Sequence, residues 1–268
     1  MKTIQQIIEE NNYLQDSILI GYRGSIAHGM YVPNTDPNSI DDRDIMAVII
    51  PPVDTYLGLK HFGSRGTKEI LPSDTNEWDV VTYEFIKYIK LLINSNPNVL
   101  SLLWLDEDLY VQRSKEGQEL INNRDLFISK EIYKSFTGYA YGQLKRMEHF
   151  KFEGYMGEKR KALVTKHGYD CKNAAHCIRL LRMGIEFLNE GILYVNRKGI
   201  DSEELLEIKT GKWTLEQVKK EAMYVLKKAE EAYCNSKLQE RPEEEKINKL
   251  CIELIKSKLH LNEIIVIE

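Results

Sequence analysis

The feature that most constrains this chain is Asp42-Arg43-Asp44, set at the head of the apolar run Ile45-Met46-Ala47-Val48-Ile49-Ile50, which Pro51-Pro52 closes. An apolar run of this length ended by prolines reads as a buried strand. In a strand, residues i and i+2 project from one face, so Asp42 and Asp44 stand side by side at the entrance to a core. Two like charges so placed are costly unless a cation or a proton relieves them. Hard carboxylate oxygens on a rigid strand suit Mg²⁺, which takes one or two protein carboxylates and completes its shell with substrate phosphates and water. Taken alone, the same tripeptide also fits a solvated strand entrance, so its neighbours have to decide.

Two further strands flank it. Ser17-Ile18-Leu19-Ile20-Gly21-Tyr22 is apolar and breaks at Arg23-Gly24-Ser25, and Trp78-Asp79-Val80-Val81-Thr82-Tyr83 is the third. A glycine at the end of a strand lets backbone N–H groups approach a phosphate, and the hydroxyl of Ser25 adds a donor. Asp79 is a candidate third carboxylate. Glu77 shares its face by strand alternation and Glu84 lies close by, so both are rivals. His28, in the loop after Gly24-Ser25, is a substrate contact or a loop-packing histidine. Residues 58–77, with three glycines and Pro72, read as loops or a poorly defined hairpin, and Gly63-Ser64-Arg65-Gly66 as a mobile loop near the site.

Beyond Tyr83 the pattern turns helical. Phe85, Ile86, Ile89, Leu92 and Ile93 form one helix, and Ile132, Phe136, Ala140, Leu144 and Met147 step by four along a longer one capped by Ser129. Asp170 caps a helix whose Ala174, Ile178, Leu181 and Ile185 face a core. Thr214-Leu215-Glu216-Gln217 is a capping box, and Pro242 stands at the first position of a last helix. Lys172, His176 and Arg179, at i, i+4 and i+7, lie within about 60° of arc on another face of the Asp170 helix. They are either a solvated basic face or a phosphate contact. The order of elements predicts an α+β fold: a small mixed sheet with flanking helices, then a mostly helical C-terminal part, divided as residues 1–128 and 129–268.

Charge and composition narrow the class. Residues 1–130 carry 12 basic and 19 acidic side chains, whereas residues 131–200 carry 13 and 7; an acidic part could hold metal and a basic part phosphates, although charge alone favours simply solvated helix faces. No apolar run approaches the roughly 20 residues of a membrane span. No basic-then-apolar leader opens the chain, and the four cysteines form no CxxC pair. A cytoplasmic protein without zinc is therefore expected. GxSxG, Walker and HExxH patterns are absent.

Together these pieces resemble the polymerase-beta-like nucleotidyltransferase superfamily, and more narrowly the RNA repair pathway DNA polymerase beta family. The residues that carry the resemblance are Gly24-Ser25-Ile26-Ala27-His28-Gly29, Asp42-Arg43-Asp44 through Pro51-Pro52, and Tyr56-Leu57-Gly58-Leu59. They continue with Asp79-Val80-Val81-Thr82-Tyr83-Glu84, Asn96-Pro97-Asn98-Val99-Leu100 and Lys172 through Leu181. The resemblance implies that Asp42, Asp44 and Asp79 hold two divalent ions, Mg²⁺ or Mn²⁺, and are catalytic. It implies that Gly24 and Ser25 bind the triphosphate of an NTP, with His28, Lys172, His176 and Arg179 as further substrate contacts. One departure stands out: an arginine is expected directly after the serine, but Ile26 is there and Arg23 precedes the glycine. The implied activity is transfer of a nucleoside monophosphate to an acceptor hydroxyl, an RNA end among the candidates. The alternatives are transfer to a protein or small molecule, and a non-catalytic nucleotide-binding regulator of the antitoxin kind.

Overall fold

A five-stranded mixed sheet organises the first half of the chain, in the spatial order β3-β4-β2-β1-β5. The computed structural model describes residues 2–33, 43–70, 78–148 and 158–261. Its strands are β1 (Ser17–Tyr22), β2 (Arg43–Ile49), β3 (Thr67–Ile70), β4 (Trp78–Glu84) and β5 (Tyr110–Arg113). β2 and β4 run parallel, and the other neighbours are antiparallel. The three strands expected from sequence are the three central ones. Central strands are buried on both faces and read as continuous apolar runs, whereas Thr67-Lys68-Glu69-Ile70 and Tyr110-Val111-Gln112-Arg113 at the edges are half polar. Of the two readings of the 58–77 segment, loops or a poorly defined hairpin, its described part favours the second, since β3 pairs antiparallel with β4 and Gly63-Ser64-Arg65-Gly66 is the turn that leads into it, with Ser64 bridged to Thr67.

The helices are α1 (Ile4–Glu9), α2 (Asn12–Gln15), α3 (Gly24–Ala27), α4 (Val53–Leu57), α5 (Phe85–Ile93), α6 (Pro97–Leu100), α7 (Lys115–Asn122), α8 (Glu131–Glu148), α9 (Glu158–His167), α10 (Cys171–Glu190), α11 (Ser202–Lys209), α12 (Leu215–Asn235) and α13 (Glu244–Leu259). The fold is α+β, as expected. Asp170 caps α10 by accepting the Asn173 N–H at 3.1 Å. Thr214 and Gln217 close the capping box of α12 in both directions, at 2.8 and 3.2 Å. Ser129 lies one residue further out than a cap, its hydroxyl accepting the Glu131 N–H at 3.4 Å. Pro242 corrects the sequence reading: α13 begins at Glu244 with Glu243 as its cap residue, so the proline sits before the helix.

The two faces of the sheet have different partners. Ile45, Ala47, Trp78 and Val80 pack with Ile7, Ile8 and Leu14 of the N-terminal helices. Met46, Val48 and Val81 join a larger core that contains Phe136, Leu180, Met183 and Phe187 of α8 and α10. Alternation thus puts Asp44 and Asp79 on the face turned toward the helical half. That half also grips the loop after α3: Arg197 N–H donates to the His28 carbonyl at 3.2 Å, and Lys209 Nζ to the Met30 carbonyl at 2.9 Å. No helix among the described residues is long and apolar enough to cross a membrane.

Candidate active site

Parallel pairing of β2 with β4 sets Asp44 directly opposite Asp79. Both carboxylates are half-buried near the starts of these two central strands. Two unit charges about 5 Å apart repel by about 3 kcal/mol at an effective dielectric of about 20, so the pair calls for a cation. Arg23 supplies one: its Nη2 lies 3.4 Å from Asp79 Oδ2 and 3.7 Å from Asp44 Oδ1. Its backbone N–H also donates to the Asp44 carbonyl at 2.9 Å, which extends the β1–β2 ladder to the turn.

Gly24 follows at φ +61°, a left-handed conformation that favours glycine. A Cβ there would collide with Asp44 Oδ2. The strand-to-helix turn carrying Ser25 is therefore packed on the aspartate, with no side chain between. Ile26, standing where an arginine was expected, lines instead a cavity of about 590 Å³ with Tyr22, Tyr31 and Trp78. Glu84 is otherwise engaged: its carboxylate caps α5, accepting the Ile86 and Lys87 N–H groups at 2.7 and 2.8 Å and the Tyr56 hydroxyl at 3.0 Å. Asp42 and Glu77 lie outside the described residues. Among those described, no three His, Cys, Asp or Glu gather as a metal group.

A second cluster faces the turn from the helical half. Arg179 of α10 is only 7% exposed, and its Nε has no hydrogen-bond partner. Burial first, then the charge of Arg197, pulls it down to about 9. Its neighbours are differently placed. Arg197 binds Glu186 at 2.6 and 2.9 Å and Asp201 at 2.7 Å. Arg182 binds Asp201, Glu204 and Glu221 at 3.1, 2.7 and 2.8 Å. Among the described residues Arg179 has only a long contact to Met183 Sδ at 3.8 Å. The basic stripe expected on α10 is thus buried at its arginine, with Arg197 and Asp201 within electrostatic range of it.

His28 belongs to the same cluster. Its Nδ1 lies 2.9 Å from the Val195 carbonyl, which makes Nδ1 the protonated nitrogen. Burial, with Arg179 next, holds its pKa well below the usual value, so the ring is neutral and Nε2 is an acceptor. His176 is pulled down to about 3 by burial, then by Arg179 and Lys172. The structure therefore brings His28, His176 and Arg179 together, with Lys172 within electrostatic range. On the far side, burial raises the Tyr83 phenol, and the groups it senses next include Arg23, Tyr139 and Asp79. Sequence reasoning overlooked Tyr139 and its α8 neighbours Gln143 and Arg146. Gly138 and Gly142, four apart inside a helical pattern, were the available signal.

An α+β fold that sets an aspartate pair beside a Gly-Ser turn agrees with the polymerase-beta-like nucleotidyltransferase resemblance that the sequence carries. Residues 1–253 match the profile of the RNA repair pathway DNA polymerase beta family, and the chain belongs to that family. No curated protein matches it. A solved structure of a nucleotidyltransferase-like protein from Exiguobacterium sibiricum is similar over 94% of this chain and 78% of that one, at 10% identity and a TM-score of 0.30.

Proposed function

We propose that this protein transfers a nucleoside monophosphate from an NTP to an acceptor hydroxyl and releases pyrophosphate. The observation that carries the reading is the in-register Asp44–Asp79 pair with Gly24 packed against it. The chemistry of these donors fits a divalent cation: hard oxygens, adjacent, half-buried, and already drawing a guanidinium to within 3.4 Å. Asp44 and Asp79 would hold it, with Asp42 as the third ligand that strand spacing supplies. Two bound Mg²⁺ or Mn²⁺ ions would lower the pKa of the acceptor hydroxyl and neutralise the triphosphate.

The remaining work falls to the chain's own groups. Gly24 and Ser25 bind the triphosphate through backbone N–H groups and the hydroxyl. Arg179, forked and without an ion pair among the described residues, matches phosphate oxygens, and Lys172 adds charge beside it. His28, neutral with Nε2 free to accept, suits a hydroxyl better than a phosphate. Residues 1–128 then carry the aspartates and the turn, and residues 129–268 carry the phosphate contacts. The family name and the basic character of residues 131–200 favour an RNA end as acceptor.

Incubation with each α-labelled NTP, Mg²⁺ or Mn²⁺, and total RNA or lysate tests this. Label moving to RNA is expected. Label on protein or a small product changes the acceptor, and label that stays in the NTP overturns transfer.

A further inference from the structure

We infer that a cavity of about 490 Å³ beside α8, lined by Tyr139, Gln143 and Arg146 together with His176 and Asn98, is a nucleoside subsite that takes the base and sugar of a nucleotide. The inference rests on the nucleotidyl-transfer reading above and adds where the nucleoside is held.

Two observations point there. Gln143 is only 7% exposed, and its Oε1 is buried without a partner. A buried carbonyl left unpaired is costly, and a rotation of the carboxamide that turns it toward a ligand N–H would complete it. A carboxamide offers an acceptor and a donor side by side, the pattern that reads the edge of a base. Gly138 and Gly142 line the same wall, and a Cβ at either would meet nothing within 4 Å. Packing against the described residues does not require these glycines, yet both sit inside a helix that glycine weakens. They leave room for a ring.

The cavity also lies between the two halves of the site. His176 is shared with the Arg179–His28 cluster, and Tyr139 is within electrostatic range of Tyr83, which in turn senses Asp79. Asn96 Nδ2 donates to the Tyr139 hydroxyl at 3.0 Å, which orients an aromatic face for stacking. Arg146 makes no ion pair among the described residues and supplies a cation at the mouth. The volume lies within the range of small-ligand pockets.

Such a nucleoside comes from one of two sources, the incoming NTP or the terminal nucleotide of an RNA acceptor. Calorimetry with each NTP, with inorganic tripolyphosphate and with a short oligoribonucleotide separates them, using wild type, Gln143→Leu and Gly142→Leu. Both variants should bind nucleotide at least tenfold more weakly while tripolyphosphate affinity stays within twofold. Loss confined to the NTP assigns the subsite to the donor, and loss confined to the oligoribonucleotide assigns it to the acceptor; either supports the proposal. Should Gly142→Leu unfold, Gln143→Glu, nearly isosteric but lacking the amide donor, carries the test. A wild type that binds neither nucleotide would remove the transfer reading and this subsite with it. Folded variants that bind both nucleotides like wild type would overturn the subsite alone.

Discussion

The guanidinium of Arg23 reaches from the end of β1 to the carboxylate of Asp79 on β4, Nη2 to Oδ2 at 3.4 Å, and lies 3.7 Å from Asp44. One side chain thus supplies the positive charge that the aspartate pair requires. A metal binding there competes with an internal cation. Arg23→Gln should therefore melt at a lower temperature than wild type in chelator and gain more on addition of Mn²⁺. Equal Mn²⁺-induced rises in Tm for the two proteins would separate Arg23 from the metal site.

Asp44→Asn and Asp79→Asn should each cut label transfer at least a hundredfold, and Asp42→Asn likewise. Stability should hold or rise, because one charge of a repelling pair is gone while Arg23 keeps the other. Wild-type turnover in any of the three would remove the two-metal model.

Gly24→Ala should both destabilise the protein and abolish transfer. The left-handed backbone at φ +61° costs a side chain about 1–2 kcal/mol, and the new methyl displaces the Asp44 carboxylate. Ser25→Ala, by contrast, should leave the melt unchanged. Losing one hydrogen bond to a charged group is worth about 1.5–3 kcal/mol, so NTP affinity should fall about ten- to a hundredfold. An unchanged NTP dissociation constant would make Ser25 a turn residue only.

Among the described residues Arg179 is a buried cation with no ion pair, so Arg179→Met should raise Tm while weakening NTP binding. Arg179→Lys keeps the charge but loses the planar fork, and should recover little of the affinity. A lower Tm and unaltered NTP binding in Arg179→Met would assign the arginine to structure.

Acid should destabilise the fold through His28 and His176. Both are held neutral by burial and nearby cations, His176 down to about 3. Above the ordinary histidine pKa of about 6.5 both states are neutral and the residues contribute nothing to pH dependence. Below it the unfolded chain takes up protons that the native rings refuse, so stability falls as pH drops toward about 3. Melts between pH 8 and pH 4 check this: His176→Gln should lose less Tm below pH 6.5 than wild type. Parallel curves would show that His176 is protonated in the folded protein.

Much of the frame was legible because it is local. Apolar runs named β1, β2 and β4, and Asp170, Thr214 and Gln217 announced their caps through side chain-to-backbone bonds only a few residues long. Strand β3 was legible only as one half of an ill-defined hairpin, because edge residues such as Lys68 and Glu69 carry no apolar signature. Pro242 misled because its place just before a helix and its place within the first turn look alike along the chain.

By itself the sequence determined that a charged Asp-x-Asp heads a buried strand, that Gly24 ends another, and that Lys172, His176 and Arg179 share one side of a helix. Each follows from spacing of a few residues and the fixed period of a strand or helix. Which aspartate stands beside Asp44 was decided by the tertiary structure, because the β2–β4 register sets residues 35 positions apart opposite one another. The same is true of Arg23 at the aspartate pair, of Arg179 buried without an ion pair among the described residues, and of Gln143 at the wall of a cavity. Those are matters of packing between distant segments, and no local period encodes them.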